Sequence, residues 1–257
     1  MDRFLTLGAT SNFRHMGGYP AADGRLTRAD RLYRSGYVNA SPAEIDEAFA
    51  RLGITTVYDF RSPVEREKNP LPVGAHVEVV QLGMLVASVE NLWDLLLDEG
   101  LTPAGAEKIM ADRYRELTRE ELPGYKAMFR HMLEGEGATL VMCSFGKDRA
   151  GIASALLLSA LGVAPDSVRS DYLLSSVAYA DEDAAMGKFA QFFNARGLPV
   201  DRAVVAPILD AKPQYLRVAL DLIEDRAGDM DRFLLQEFEL DSTALARLAE
   251  RFTGAGH

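Results

Sequence analysis

One stretch, ATLVMCSFGKDRAGIASALLLSALG (residues 138–162), restricts the fold more than any other. Its first six residues are apolar and β-rich at consecutive positions, the pattern of a strand covered on both faces. A short loop, SFGKD, comes next. The segment after it is small or apolar nearly all round, as a helix buried against a sheet is. Neither element tolerates water on any side, so the chain must supply layers above and below this sheet.

Other segments supply such layers. ITTVYDF (54–60) is a second apolar strand, HVEVVQL (76–82) alternates like an edge or half-covered strand, and RLYRSG (31–36) is a weaker fourth. SPAEIDEAFARLG opens with Ser41, Pro42 and Glu44 in the capping-box arrangement and ends at Gly53. SPVERE repeats the device with Ser62, Pro63 and Glu65. Residues 84–135 read as a helical insertion, and beyond 165 the chain reads as wholly helical, with segments near 165–180, 183–196, 213–227 and 242–252. The expected fold is a three-layer α/β sandwich with a central, mostly parallel sheet of four to five strands. With 257 residues, 48% of them hydrophobic, one domain over 1–257 accounts for the chain.

The formal charge is 28 − 38 = −10. That excludes a broad basic surface for nucleic acid, so an anionic ligand must be met by a local cluster of donors. Cys143 is the only cysteine, which excludes an internal disulfide and fits a reducing compartment. No signal peptide or membrane span is legible, and a soluble cytoplasmic protein is the expectation. The oligomeric state leaves no mark in the sequence.

Cys143 ends the apolar strand, and Arg149 opens the helix six positions later. Gly146 permits a tight turn that brings backbone N–H groups inward, and amides at a helix N-terminus bind anions. Arg149 adds a planar fork for two phosphate oxygens. The same surroundings favour a thiolate. Cys143 is then a nucleophile toward a phosphate monoester, held by Ser144, Phe145, Gly146, Lys147, Asp148 and Arg149, with no metal or cofactor required. A cysteine spaced so from an arginine is, by itself, as readily a buried small hydrophobe; the strand, glycine and helix around it supply the phosphate-loop reading.

CSFGKDRAG is similar to the signature loop of the atypical bacterial tyrosine phosphatases, also called triple-specificity phosphatases, with the pattern His-Cys-x-x-Gly-Lys-Asp-Arg-Thr-Gly. NFRHMGGYPAADGRL with RLYRSG resembles the family's N-terminal motif, and GITTVYDFRSPVERE resembles its Asp-Leu-Arg-Ser-x-x-Glu element. The KPQYLRVALDLIEDRAGDMDRFLLQE tail has the family look, so the resemblance spans about residues 11 to 240. It implies a phosphatase acting on phosphotyrosine, with phosphoserine/threonine and phosphoinositides as further substrates. It makes Cys143 the nucleophile, Arg149 the phosphate clamp and Lys147 a second cation. Asp148 becomes a candidate general acid, with Asp59 as its rival. Asp148 has a plainer role open to it in pairing with Arg149 or capping the helix, and Asp59 in pairing with Arg61. Arg14 and His15 read as scaffold. The family also implies a helical lid, placed here at about 172–210, with Tyr172, Phe192 and Phe193 as apolar cover or as ordinary core.

Three positions depart from the pattern: Met142 for histidine, Ala150 for threonine and His15 for aspartate. Met142 removes a hydrogen-bonding ring beside the thiol, and Ala150 removes a hydroxyl that, by the resemblance, serves the second chemical step, which is then expected to slow unless Ser144 substitutes. They motivate an alternative, a phosphatase fold that binds phosphorylated partners without efficient turnover. Arsenate reduction is disfavoured, because the chain lacks resolving cysteines.

Overall fold

The computed structural model describes residues 3–83, 100–179 and 201–255. Its main sheet has five strands in the order β1 (Arg14–His15), β3 (Leu32–Ser35), β6 (Ala138–Met142), β4 (Ile54–Asp59), β5 (Glu78–Gln81). β3, β6, β4 and β5 run parallel, and β1 is antiparallel to β3. The register sets Ser35 opposite Met142, Met142 opposite Asp59 and Asp59 opposite Gln81. The parallel strands therefore finish together, and the segments leaving their C-terminal ends line one edge of the sheet. That is the edge at which parallel α/β sheets bind ligands.

Alternation along β6 divides the core in two. Leu140 and Met142 face one layer with Ile45 and Phe49 of helix α1 (Pro42–Leu52). Val141 and Cys143 face the other, where helix α5 (Arg149–Ala160) places Ile152, Ala153, Leu156 and Leu157. On that second side also lie α3 (Pro103–Glu120), α4 (Leu122–Glu134), α6 (Pro165–Ala178), α7 (Arg202–Leu209), α8 (Pro213–Ala227), α9 (Met230–Phe238) and α10 (Ser242–Phe252), all contributing buried residues to one cluster. The result is the expected three-layer sandwich.

The capping boxes form as the spacing predicts. Ser41 accepts from the Glu44 N–H while Glu44 accepts from the Ser41 N–H, and Gly53 ends α1 at φ 65°. The short helix α2 (Pro63–Lys68) starts in the same way from Ser62 and Glu65. The predicted helices at 165–180, 213–227 and 242–252 are α6, α8 and α10. The one predicted at 183–196 lies outside the described residues, as do 84–99 of the insertion.

Two differences stand out. α7 and α9 have no counterpart among the expected helices. The C-terminal part is not wholly helical: β7 (Thr253–Gly254) pairs with β2 (Leu26–Thr27), tying the end of α10 back to the N-terminal segment. A two-residue strand carries no period, so only its pairing reveals it.

Beneath β1 and β3 sits a buried ionic cluster. Asp171 of α6, 1% exposed, accepts from Arg34 at 2.8 Å and from Arg14, both fully buried, and Tyr19 donates to it as well. Burial opposes ionisation of Asp171, but the two guanidinium groups win and hold its carboxyl below the ordinary 3.8. A depressed folded-state value stabilises the fold above the unfolded one, so this contribution is present at neutral pH and is lost as pH falls below about 4. Asp171→Asn strands two buried cations; it should cost about 3–5 kcal/mol in denaturant unfolding at pH 7, with the deficit shrinking as pH is lowered through the acid range.

Candidate active site

The edge formed by the strand ends carries the loop 143–149. Gly146 turns it at φ 62°, and a Cβ there would stand 2.3 Å from the Ser35 carbonyl carbon, so β3 and the loop are in backbone contact. Cys143 lies at the base, 2% exposed.

The loop's carbonyls from Ser144 to Lys147 are all drawn toward donors outside the loop. Ser144 O accepts from the Tyr37 N–H at 3.0 Å. Phe145 O accepts from the Tyr179 hydroxyl at 2.6 Å and from Asn12 Nδ2 at 3.2 Å. Gly146 O accepts from Asn12 Nδ2 at 3.0 Å and from Arg34 at 2.7 Å, and Arg34 also reaches Lys147 O. Trans peptides put N–H opposite C=O, so outward carbonyls turn successive amides toward the interior of the loop. Among the described residues, the N–H groups of Ser144, Gly146, Lys147 and Asp148 donate to no protein acceptor. With the first amides of α5 they form a concave array of donors at a helix N-terminus, which suits a tetrahedral anion.

Each charged side chain of the loop has a protein partner. Arg149 is 3% exposed and forms a two-pronged pair with Glu65 of α2, at 2.6 and 2.8 Å, while its Nη1 also donates to Phe60 O at 2.8 Å. Burial works to raise the Glu65 carboxyl, but the Arg149 pair outweighs it and brings the group down to about 2. Ser144 Oγ donates to the same carboxylate. Lys147, 2% exposed, donates to Ile208 O and Asp210 O at the end of α7, and its Nζ lies 3.4 Å from Asp148 Oδ1. Burial, with help from the Arg113 charge, lowers Lys147 below the usual lysine value, with Asp148 pulling the other way. Asp148 accepts at 2.8 Å from the Tyr114 hydroxyl of α3. Its burial favours the neutral acid, yet Lys147 and Arg113 hold it below the usual carboxylate value.

Of the predicted residues, the structure gathers Cys143, Ser144, Phe145, Gly146, Lys147, Asp148 and Arg149 in one loop. Asp59 stands at the end of the neighbouring strand, but both of its oxygens are held by Arg61, at 2.9 and 2.7 Å, and the pair is 1% exposed on each side. Tyr172 is buried in α6 with its hydroxyl 2.7 Å from that of Tyr114; Phe192 and Phe193 lie outside the described residues. His15 in β1 accepts from the Gly17 N–H at 3.2 Å. Glu65, Asn12, Arg34, Tyr114 and Asp171 were missed by sequence reasoning. Glu65 carried a signal, its place in the Asp-Phe-Arg-Ser-x-x-Glu motif, but the capping box explained it already. Asn12 and Arg34 lie within the NFRHMGG and RLYRSG motifs, but their contacts with the loop, like that of Tyr114, span distances in sequence that no local pattern encodes, and Asp171 reaches the loop only through Arg34 and Arg14.

Comparison with known proteins places the chain in a family. The model of the tyrosine phosphatase family matches residues 5–254, nearly the whole chain. A Cupriavidus necator protein, assigned provisionally by its name to the tyrosine-protein phosphatases, is 33% identical over 247 residues, covering 94% of this chain and 86% of that one. The triple specificity protein phosphatase PtpB of Mycobacterium tuberculosis is 26% identical over 252 residues, covering 87% of this chain and 90% of its own. The chain therefore belongs to the tyrosine phosphatase family, and its enzymatic class is that of a phosphatase.

Proposed function

We propose that the chain hydrolyses phosphotyrosine through a phosphocysteine on Cys143, with phosphoserine/threonine and phosphoinositide headgroups as further substrates, in line with the triple-specificity relative. The observation that carries this reading is the outward tethering of every loop carbonyl from Ser144 to Lys147, which turns the amides on the space above Cys143. The lone cysteine, free and buried, fits action in a reducing cytoplasm.

In the first step the Cys143 thiolate attacks phosphorus, the P–O bond to the leaving group breaks, and that oxygen takes a proton from Asp148. In the second step Asp148 takes a proton from water, the water oxygen attacks phosphorus, and the S–P bond breaks to release phosphate and thiolate. The loop amides and Arg149 hold the three equatorial oxygens through both transition states. Asp148 is the better acid of the two candidates, because Asp59 already accepts the full fork of Arg61. The dianionic substrate draws on Lys147 and Arg149 and adds negative charge, so Asp148 gains affinity for its proton when substrate binds.

A second reading is a binder without turnover. It is favoured by the occupied state of Arg149 and Lys147, which a ligand must draw from Glu65 and from the end of α7.

Wild-type protein should release phosphate from an aryl phosphate in a vanadate-sensitive manner, and Cys143→Ser should lower kcat on the order of 10⁴-fold or more. Phosphopeptide binding with no phosphate released over hours would select the binder instead. Arg149→Lys keeps the charge but loses the fork, so kcat/KM should fall roughly 10²–10³-fold. Because Asp148 sits low in the free enzyme and rises on binding, the alkaline limb of kcat should lie at higher pH than that of kcat/KM. Both limbs should flatten in Asp148→Asn; persistence of both would remove Asp148 from the acid role.

A further inference from the structure

We infer that Tyr114 is the positioning residue for the catalytic acid: it takes Oδ1 of Asp148 and thereby assigns the transferable proton to Oδ2. The inference rests on the reading of Asp148 as general acid. Tyr114 is fully buried in α3, with its ring packed 5.7 Å from that of Tyr215 and 6.2 Å from that of Tyr172. Its hydroxyl has two close neighbours, Asp148 Oδ1 at 2.8 Å and the Tyr172 hydroxyl at 2.7 Å.

Proton count sets the direction of this hydrogen-bond chain. An ionised carboxylate only accepts, so Tyr114 gives its single proton to Asp148 and must accept the proton of Tyr172. The Lys147 ammonium, at 3.4 Å, also approaches Oδ1. Two donors on one oxygen make it the poorer site for a proton, and a protonated Asp148 carries it on Oδ2. The order Tyr172, Tyr114, Asp148 holds in both protonation states, so the loop carboxyl keeps its orientation while its proton leaves and returns.

Asp148 is faced by cations on Lys147, Arg149 and Arg113, and by the phenols of Tyr114, Tyr172, Tyr215, Tyr179 and Tyr125. Burial lifts the Tyr114 and Tyr172 phenols well above their ordinary range, so neither ionises during an assay below pH 9 and both remain donors.

The test compares leaving groups. Phenyl phosphate needs protonation of its leaving oxygen, whereas 2,4-dinitrophenyl phosphate does not. Tyr114→Phe keeps the ring and removes the hydroxyl. It should lower kcat about ten- to a hundredfold on phenyl phosphate and less than about twofold on the dinitrophenyl ester. KM should stay within about twofold, and the alkaline limb of kcat should move up by about one pH unit, because the carboxylate loses a donor. Tyr172→Phe should shift both in the same direction by a smaller factor. Equal loss on both substrates, with a lowered melting temperature, would make Tyr114 a packing residue and overturn the inference. If Asp148→Asn shows the leaving-group split and Tyr114→Phe does not, Tyr114 is excluded while Asp148 keeps its role. If Asp148→Asn shows no split, the acid assignment fails first, and this inference falls with it.

Discussion

The loop 143–149, proposed to hold the phosphate, depends on one carboxylate that lies outside it. Asp171 holds Arg14 and Arg34 in the protein interior; Arg34 in turn donates to Gly146 O, and Arg14 donates to Asn12, whose amide supports Phe145 O and Gly146 O. Two arginines side by side in a dry core would repel each other and would each lack solvation. Asp171 neutralises one charge of the pair, and the loop carbonyls solvate what remains. This fixes the polarity of the loop: cations below attract the carbonyl ends, and the amide ends are turned the other way. An anion above is therefore met by the positive ends of peptides whose negative ends are already satisfied, a preorganisation that needs no rearrangement when charge develops in the reaction.

The charge pattern of the whole chain is compatible with this. A protein at −10 repels phosphates at long range, yet five cations, Arg14, Arg34, Lys147, Arg149 and Arg113, are buried around one loop. Buried cations act at low dielectric, and at a few ångströms they outweigh a dispersed surface charge that solvent and salt screen. Arg14 and Arg34 are matched against Asp171, Arg149 against Glu65 and Lys147 against Asp148, and the cations hold these three carboxylates ionised at neutral pH. Glu65, down at about 2, keeps the Arg149 fork flat against α2 across any working pH.

What was legible in the sequence was whatever is local. The sheet strands were legible because a strand covered on both faces must be apolar at consecutive positions, and α1 and α2 because caps and stops are encoded within four residues. The loop was legible because strand, glycine, arginine and apolar helix succeed one another without a gap. Asp171 was not, since a lone aspartate on a helix looks solvent-facing until its two arginines, 157 and 137 positions away, are found beside it. Tyr114 was hidden for a similar reason: an aromatic at helical spacing in α3 reads as core, which it also is. The Asp59 and Arg61 pair shows the opposite case. Two positions apart, their pairing was foreseeable, and it is the tie to Arg61 that sets Asp59 apart from Asp148 as a proton donor.

The departures from the family pattern weigh unequally once the layers are known. Met142 points to the α1 side of the sheet, fully buried with Ile45, Phe49 and Leu140, while Cys143 points to the other. A histidine there would have to find a polar partner at the edge of an apolar cluster, whereas methionine fills it without one. The loop does not lose its order, because that order comes from Asn12, Arg34, Tyr37 and Tyr179 acting on its carbonyls. Ala150 is different. It lies fully buried in the first turn of α5 and in the same core cluster as Cys143, and its methyl side chain supplies no hydroxyl. Ser144, the substitute considered for that hydroxyl, has its proton directed at Glu65, and Glu65 stays ionised. In the proposed reaction, attack on the substrate keeps all of its groups. Departure of sulfur from the phosphocysteine lacks the family's threonine hydroxyl while Ser144 is turned to Glu65, so in that reaction the second step is the one expected to slow.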